Sequence, residues 1–191
     1  MGKPIVFDVE TQKIFQEVGG KTDQLKISVV GVYNYTTDSY NSFFENELPK
    51  MFSLFEKASQ LIGFNINKFD LEVLKPYYVG NVYKFPTLDI LEEVQKSLGR
   101  RIALDDLLKA TLNVGKEGHG LKAVNYFKEG KLKELKKYCL SDVRLTKELY
   151  EYILKNNKAY YLGPYGKVEI TLNLNKQQKK STDSVNLTLG I

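Results

Sequence analysis

The chain begins in short apolar and β-branched runs and ends in stripes of helical period. KPIVFDV (3–9) predicts a buried strand, LKISVVGVYNY (25–35) a second and SYNSFFE (39–45) a third after the turn TTDS, together a three-strand antiparallel meander. LPKMFSLFEKAS (48–59) sets Leu48, Met51, Phe52 and Phe55 at helical spacing, and QLIGFN (60–65) reads as a short buried parallel strand reached by a crossover. FDLEVLKPYY (69–78) begins another helix and KFPTLDIL (84–91) is a fifth strand running into a helix. From ALDDLLKATL (103–112) onward the pattern is mostly helical. YCLSDVRLTKELY (138–150) belongs to a strong helix, with Leu135, Leu145, Leu149 and Ile153 as the apolar stripe that holds it against the sheet. Strands first, then alternation, then helices predict an α/β fold with a five-stranded mixed sheet flanked by helices on both faces.

Residues 1–160 form the predicted domain, and 161–191 a C-terminal extension. In the extension KVEITLNLN (167–175) and VNLTLGI (185–191) alternate with period two around the polar loop KQQKKSTDS. That pattern predicts a hairpin that covers a sheet edge or aids dimerisation.

Composition narrows the class. A chain of 191 residues that is 42% hydrophobic is long enough for one domain with a real core. Its single cysteine, Cys139, excludes an internal disulfide and fits a reducing cytoplasm. Asp8 and Glu10 interrupt the only apolar stretch near the N-terminus, and no run approaches the ~18 apolar residues of a membrane span. The expectation is a soluble, cytoplasmic protein with no membrane partner. The balance of 28 Lys+Arg against 23 Asp+Glu adds a weak bias toward a polyanionic partner.

Three clusters carry candidate chemistry. Asp8 and Glu10 in IVFDVET are two apart on a strand, so their side chains share a face and their charges repel. Such a pair needs a cation unless it is a solvated strand end. In GFNINKFDLEVL (63–74), an apolar strand ends at Asn65 and Asp70 opens the next helix, either as a cap or as a third acid facing the strand ends. Asn65 is equally a turn former. In YCLSD, Tyr138 and Asp142 are i and i+4 on one helix face, a surface pair or part of a site.

FDVET, then NINKFD, then YCLSD resemble in order and local pattern the motifs of the DEDD exonucleases. The tyrosine four residues before the last aspartate resembles the tyrosine subgroup. No histidine stands at the position that defines the other subgroup, and His119 lies too far from Asp142 to replace it. The pattern is most similar to the proofreading exonuclease domain of family B DNA polymerases and its stand-alone relatives, over residues 4 to about 155. The resemblance implies a ribonuclease H-like fold. It also implies a metal-dependent 3′→5′ exonuclease acting on single-stranded nucleic acid, DNA favoured over RNA, and releasing mononucleotides.

Phosphodiester hydrolysis needs an attacking hydroxide and a clamp for phosphorane charge, which two divalent ions supply. Hard oxygen ligands suit Mg²⁺ or Mn²⁺, and a chain with one His and one Cys lacks soft ones. By resemblance, Asp8 bridges both ions, Glu10 and Asp142 complete the site that holds the nucleophilic water, Asp70 serves the second ion and Tyr138 orients the water. Four crowded carboxylates without metal are expected to retain one or more protons.

Substrate contacts are expected at Thr11, beside the terminal nucleotide, at Asn65, and at His119 in the Gly-rich turn GKEGHGLKAV (115–124), where His119 is either a phosphate contact or an ordinary loop residue. Lys131, Lys133, Lys136 and Lys137, with Arg100 and Arg101, either track phosphates or form a solvated face. Asp89 is expected to cap or support rather than bind metal, and Asp105 and Asp106 to start a helix. Two other readings stand beside the exonuclease. One is a catalytically silent nucleic-acid-binding module or nuclease subunit of a larger assembly; the other is a structure-selective endonuclease on the same fold. Partnership is expected with single-stranded nucleic acid, with room for a homo-oligomer or a larger repair or replication assembly.

Overall fold

Ile5, Phe7 and Val9 alternate along the first strand with Val6, Asp8 and Glu10, and this alternation decides what each face of the sheet becomes. The computed structural model describes residues 2–116, 118 and 120–174. Strands β1 (Ile5–Thr11), β2 (Ile27–Asn34) and β3 (Ser39–Phe44) form the antiparallel meander. Helix α1 (Leu48–Phe55) then crosses to β4 (Leu61–Gly63), which runs parallel to β1. The short α2 (Asp70–Leu74) leads to β5 (Thr87–Asp89), parallel to β4, giving the five-stranded order β3-β2-β1-β4-β5. Helices α3 (Ile90–Leu98), α4 (Leu104–Leu112), α5 (Leu121–Lys128) and the 25-residue α6 (Leu132–Asn156) follow.

One face of the sheet packs Ile5, Phe7, Val9, Ile27, Val30 and Val32 against Met51, Phe52 and Phe55 of α1 and Leu71 and Leu74 of α2. The other packs Val6, Ile62 and Leu88 against Val94 of α3, Leu107 and Leu108 of α4, and Val143 and Leu149 of α6. Helices therefore cover both faces, as the order of elements predicts. Asp8 and Glu10 belong to the face beneath α6.

Close approach of α6 depends on Gly31. This residue pairs across the ladder with Asp8, and a β-carbon there would lie 2.8 Å from Cys139 Sγ and 2.9 Å from Val143 Cγ2. Absence of a side chain lets the helix settle onto β2 and brings its Tyr138 and Asp142 over the β1 carboxylates.

The C-terminal part differs from the expected run of helix. Asn157 takes φ 54°, a left-handed cap that asparagine tolerates, and ends α6. The chain turns at once into β6 (Lys158–Gly163), which pairs antiparallel with β7 (Gly166–Thr171). The strand expected at 167–175 is thus realised in its first part, with the segment just after α6 as its partner. Residues 185–191, its expected partner, lie outside the described residues. Ala159 and Ile170 sink into the core shared with α3, α4 and α6, so β6 and β7 are part of the packed body. Among the described residues no helix is long and apolar enough to cross a membrane.

Candidate active site

At the C-terminal end of β1 the sheet leaves three acids facing one point. Asp8, Glu10 and Asp142 each offer a carboxylate oxygen, and these oxygens all lie within 4.8 Å of one another, the one such cluster of acid, His or Cys ligands among the described residues. Glu10 and Asp142 are buried, 8% and 2% exposed. Strand β1 supplies two of the acids by its two-residue period, and α6 the third from above.

Asp70 joins them from α2. It opens that helix, and its Oδ1 accepts a hydrogen bond from the Val9 N–H at 2.9 Å, so the carboxylate is turned toward β1. That amide is available because the β1–β4 ladder ends at Val6 and Ile62. Tyr138, one helical turn before Asp142, shares a hydrogen bond with the Asp142 carboxylate, and its hydroxyl also lies 3.4 Å from the Gly118 carbonyl. Asp8, Glu10, Asp142 and Tyr138 therefore meet in space, and Asp70 borders them at Val9, close enough for the Asp8 charge to act on it but outside the 4.8 Å cluster.

Electrostatics explain why this assembly is costly. Burial, followed by the charge of Asp142, pushes Asp8 from an ordinary 3.8 up to about 7. Burial and the neighbouring Asp8 raise Glu10 well above its usual range, and burial and Asp8 likewise raise Asp70. The Tyr138 hydroxyl is pushed far up by burial and then by Asp142, Glu10 and Asp8, which keeps it a neutral phenol at any physiological pH. Cys139, buried beneath, points its Sγ at the Asp8 carbonyl at 3.6 Å, and burial raises its thiol well out of the thiolate range. It offers no soft ligand. An all-oxygen donor set under mutual repulsion fits hard divalent cations such as Mg²⁺ or Mn²⁺ and does not fit zinc held by thiolate or imidazole.

The internal counter-charge is Lys116, which the sequence reading did not single out. Its Nζ lies 2.7 Å from Asp142 Oδ2, with the lysine side chain 23% exposed. Burial pulls the ammonium down, but Asp8 and Asp142 more than offset this and hold it charged. The Asp105 carboxylate fixes the approach by accepting the Lys116 N–H at 2.8 Å while pairing with Lys109 at 2.6 Å. Asp105 and Asp106 lie in the first turn of α4 as expected. The only sequence signal for Lys116 is its place in the Gly-rich turn, three residues before His119.

Other expected residues take distinct positions. Thr11 is buried beside Glu10, donates from Oγ1 to the Lys13 carbonyl at 2.7 Å, and lines a cleft of about 280 Å³ with Val9, Phe15, Phe69 and Leu121. Asn65 takes a left-handed φ of 67°, which asparagine tolerates, and its Oδ1 accepts from Arg101 at 2.9 Å. Asp89 sits apart from the cluster: its carboxylate accepts the N–H groups of Asn65 at 2.8 Å, Asn67 at 3.1 Å and Leu91 at 3.0 Å, capping α3 and bracing the loop that leads to Asp70. His119 lies outside the described residues.

With this geometry in view, likeness to known proteins is informative. The chain superposes on the family B DNA polymerase of the hyperthermophilic archaeon Pyrobaculum calidifontis with a TM-score of 0.60 at 17% identity, covering 79% of this chain and 24% of the polymerase. It superposes on Trypanosoma brucei RNase D with a TM-score of 0.60 at 16% identity, covering 96% of this chain and 64% of that protein. The complex of that RNase D with RNA U12 gives the same score and identity, over 96% and 62%. The chain thus spans about a quarter of the polymerase and under two thirds of RNase D. No curated protein matches it in sequence. The family model of the RNase H superfamily matches residues 5–154, from the start of β1 nearly to the end of α6, and the chain belongs to that superfamily.

Proposed function

We propose that the protein is a metal-dependent 3′→5′ exonuclease that hydrolyses single-stranded nucleic acid, DNA by preference, to mononucleotides. The observation that carries this reading is the convergence of the Asp8, Glu10 and Asp142 oxygens within 4.8 Å, beside a Tyr138 hydroxyl held neutral. Likeness in fold to a DNA polymerase and to an RNase D supports a nuclease on this scaffold.

Asp8, Glu10 and Asp142 are the residues that would hold divalent ions, Mg²⁺ or Mn²⁺, with Asp70 serving the second. When bound, such ions lower the pKa of water and neutralise charge developing on the phosphate. The chain's own groups do the rest. The Val9 N–H orients Asp70, so this carboxylate is fixed before substrate arrives. Tyr138, protonated throughout, positions the attacking water through its hydroxyl rather than removing its proton as a phenolate. Lys116 balances part of the acidic charge and carries an ammonium that can turn to a phosphate oxygen as the carboxylates are neutralised. The cleft beside Glu10 and Thr11, walled by Phe15, Phe69 and Leu121, receives the terminal nucleotide.

A time course on 5′-labelled single strands of DNA and RNA, with Mg²⁺ or Mn²⁺, tests the reading. Ladders that shorten from the 3′ end and disappear in excess chelator are expected. Internal fragments from a circular strand would point to an endonuclease, and binding without cleavage to a silent module.

A further inference from the structure

The ladder between β1 and β2 slips one step beyond the catalytic acids: Glu10 stands opposite Val29 and Thr11 opposite Ile27, so Ser28 is an extra residue bulged out of the pairing. Bulges next to active sites commonly re-aim a side chain. Here the bulged hydroxyl is 2% exposed as a residue, and among the described residues Ser28 Oγ is the one buried side-chain oxygen or nitrogen without a hydrogen-bond partner.

Ser28 lines a cleft of about 460 Å³ whose other walls include Ile27, Phe44, Asn46, Phe127 and Leu132. The polar end is closed by Glu45, which is already engaged, since its two oxygens accept from Gln12 Nε2 at 2.9 Å and from the Tyr77 hydroxyl at 2.8 Å. Glu10, Val29 and Phe44 form one row across β1, β2 and β3, so the cleft opens two strand spacings, roughly 10 Å, from the catalytic cluster. Lys136 Nζ lies 4.4 Å from the Phe44 ring centroid, and Lys133, Lys136 and Lys137 have no carboxylate partner among the described residues. Lys128 and Lys131 nearby are paired, with Glu17 and Glu129.

We propose that this cleft is a second nucleotide subsite, which takes one unpaired base of the substrate strand upstream of its 3′-terminal nucleotide. Aromatic and aliphatic walls suit the face of any base, and the Ser28 hydroxyl supplies a polar contact to its edge. Lys136 beside Phe44 meets a phosphate of a strand that passes from Glu10 along Thr11 and Gln12, which line the two clefts in turn, because Val29 between them is covered by α5 and α6. A free amino acid or lipid would not use both the cationic rim and the line toward the catalytic acids. The proposal rests on the reading of the chain as a nuclease for single strands, and it adds that affinity depends on a base the chemistry never touches.

The test is an abasic scan. Fluorescein-labelled oligothymidylate strands of about eight nucleotides, each lacking one base, are bound to the wild-type chain in Ca²⁺, and anisotropy reads affinity. One upstream position should weaken binding roughly 5–150-fold, the range for loss of a stacked base. Ser28→Ala and Leu132→Ala should weaken binding of the intact strand and flatten the step at that position, while hydrolysis of a dinucleotide, too short to reach the cleft, stays at the wild-type rate. Binding with no positional step, or variants that lose affinity equally for intact and abasic strands, would overturn the subsite. A step at one position that the variants abolish, in a protein that cleaves nothing, would remove the exonuclease reading and retain the cleft as the base contact of a binding module.

Discussion

Two buried carboxylate sites lie at the same end of this sheet and differ in kind. Asp89, at the end of β5, is met by three backbone N–H groups from Asn65, Asn67 and Leu91. Asp8 and Glu10, near the end of β1, receive no backbone donor among the described residues and face Asp142 and Asp70 instead. One arrangement satisfies a charge with the protein's own dipoles, the other assembles like charges and leaves Lys116 as the internal cation. Burial of a charge is expensive unless it is paired. A fold that retains such a cost at one acid and removes it at another, in adjacent parts of one sheet, leaves the first able to hold a ligand that carries positive charge.

The sharpest way to break this comparison is to substitute each acid. Asp8→Asn should reduce hydrolysis to assay background while leaving the chain folded, and should raise the metal-free melting temperature because a repelling charge is gone. Circular dichroism and the strand-cleavage assay check the two halves of that statement. A collapse of folding would make Asp8 structural, like Asp89. Tyr138→Phe tests the neutral phenol: the ring packing stays and the hydroxyl goes, so kcat should fall roughly 10–1000-fold, the scale of a lost positioning or acid–base contact, with KM nearly unchanged.

Smaller effects separate site from scaffold. Asp89→Ala strands the buried Leu91 N–H and the half-buried N–H groups of Asn65 and Asn67, and should cost about 2–3 kcal/mol in denaturant unfolding, while the protein that remains folded keeps its turnover. A variant with intact stability and no activity would move Asp89 into the catalytic set. Gly31→Ala puts a methyl against Cys139 and Val143, and should cost about 1–3 kcal/mol by overpacking and slow hydrolysis by displacing α6 from β1. Equal activity in that variant would show that the helix can shift without moving Asp142.

Much of this was legible in the sequence because its signals were local. The two-residue period of β1 put Asp8 and Glu10 on one face, and the four-residue step put Tyr138 beside Asp142. That Asp70 turns toward β1 could not be read from its position, since it depends on where the β1–β4 ladder ends. Lys116 was invisible for a similar reason: its ion pair closes across 26 residues from a loop with no periodicity, held there by Asp105. The end of α6 is signalled by Asn157, a residue suited to a left-handed cap, within a stretch whose overall pattern is mostly helical. The partner of β7 is announced by the turn Gly163-Pro164-Tyr165-Gly166, which joins β6 directly to β7, and packing of Ala159 and Ile170 holds the pair in the core.

The central claim is that the β1 carboxylates form a cation site built from mutual repulsion, and thermal unfolding of chelator-treated protein across pH, with and without Mn²⁺, tests it most directly. A carboxyl whose folded pKa is raised binds more protons folded than unfolded between its two pKa values, so stability is fully present below the unfolded value and is lost as pH rises through the folded one. Asp8, with an ordinary value of 3.8 and a folded value of about 7, sets that window, and Glu10 and Asp70 shift in the same direction. Without ion the melting temperature should fall as pH rises from about 4 to about 7, and Mn²⁺ should restore it at the upper end while changing little at the lower. A metal-free profile flat over this range, with no rise on adding Mn²⁺ at pH 7, would contradict the account.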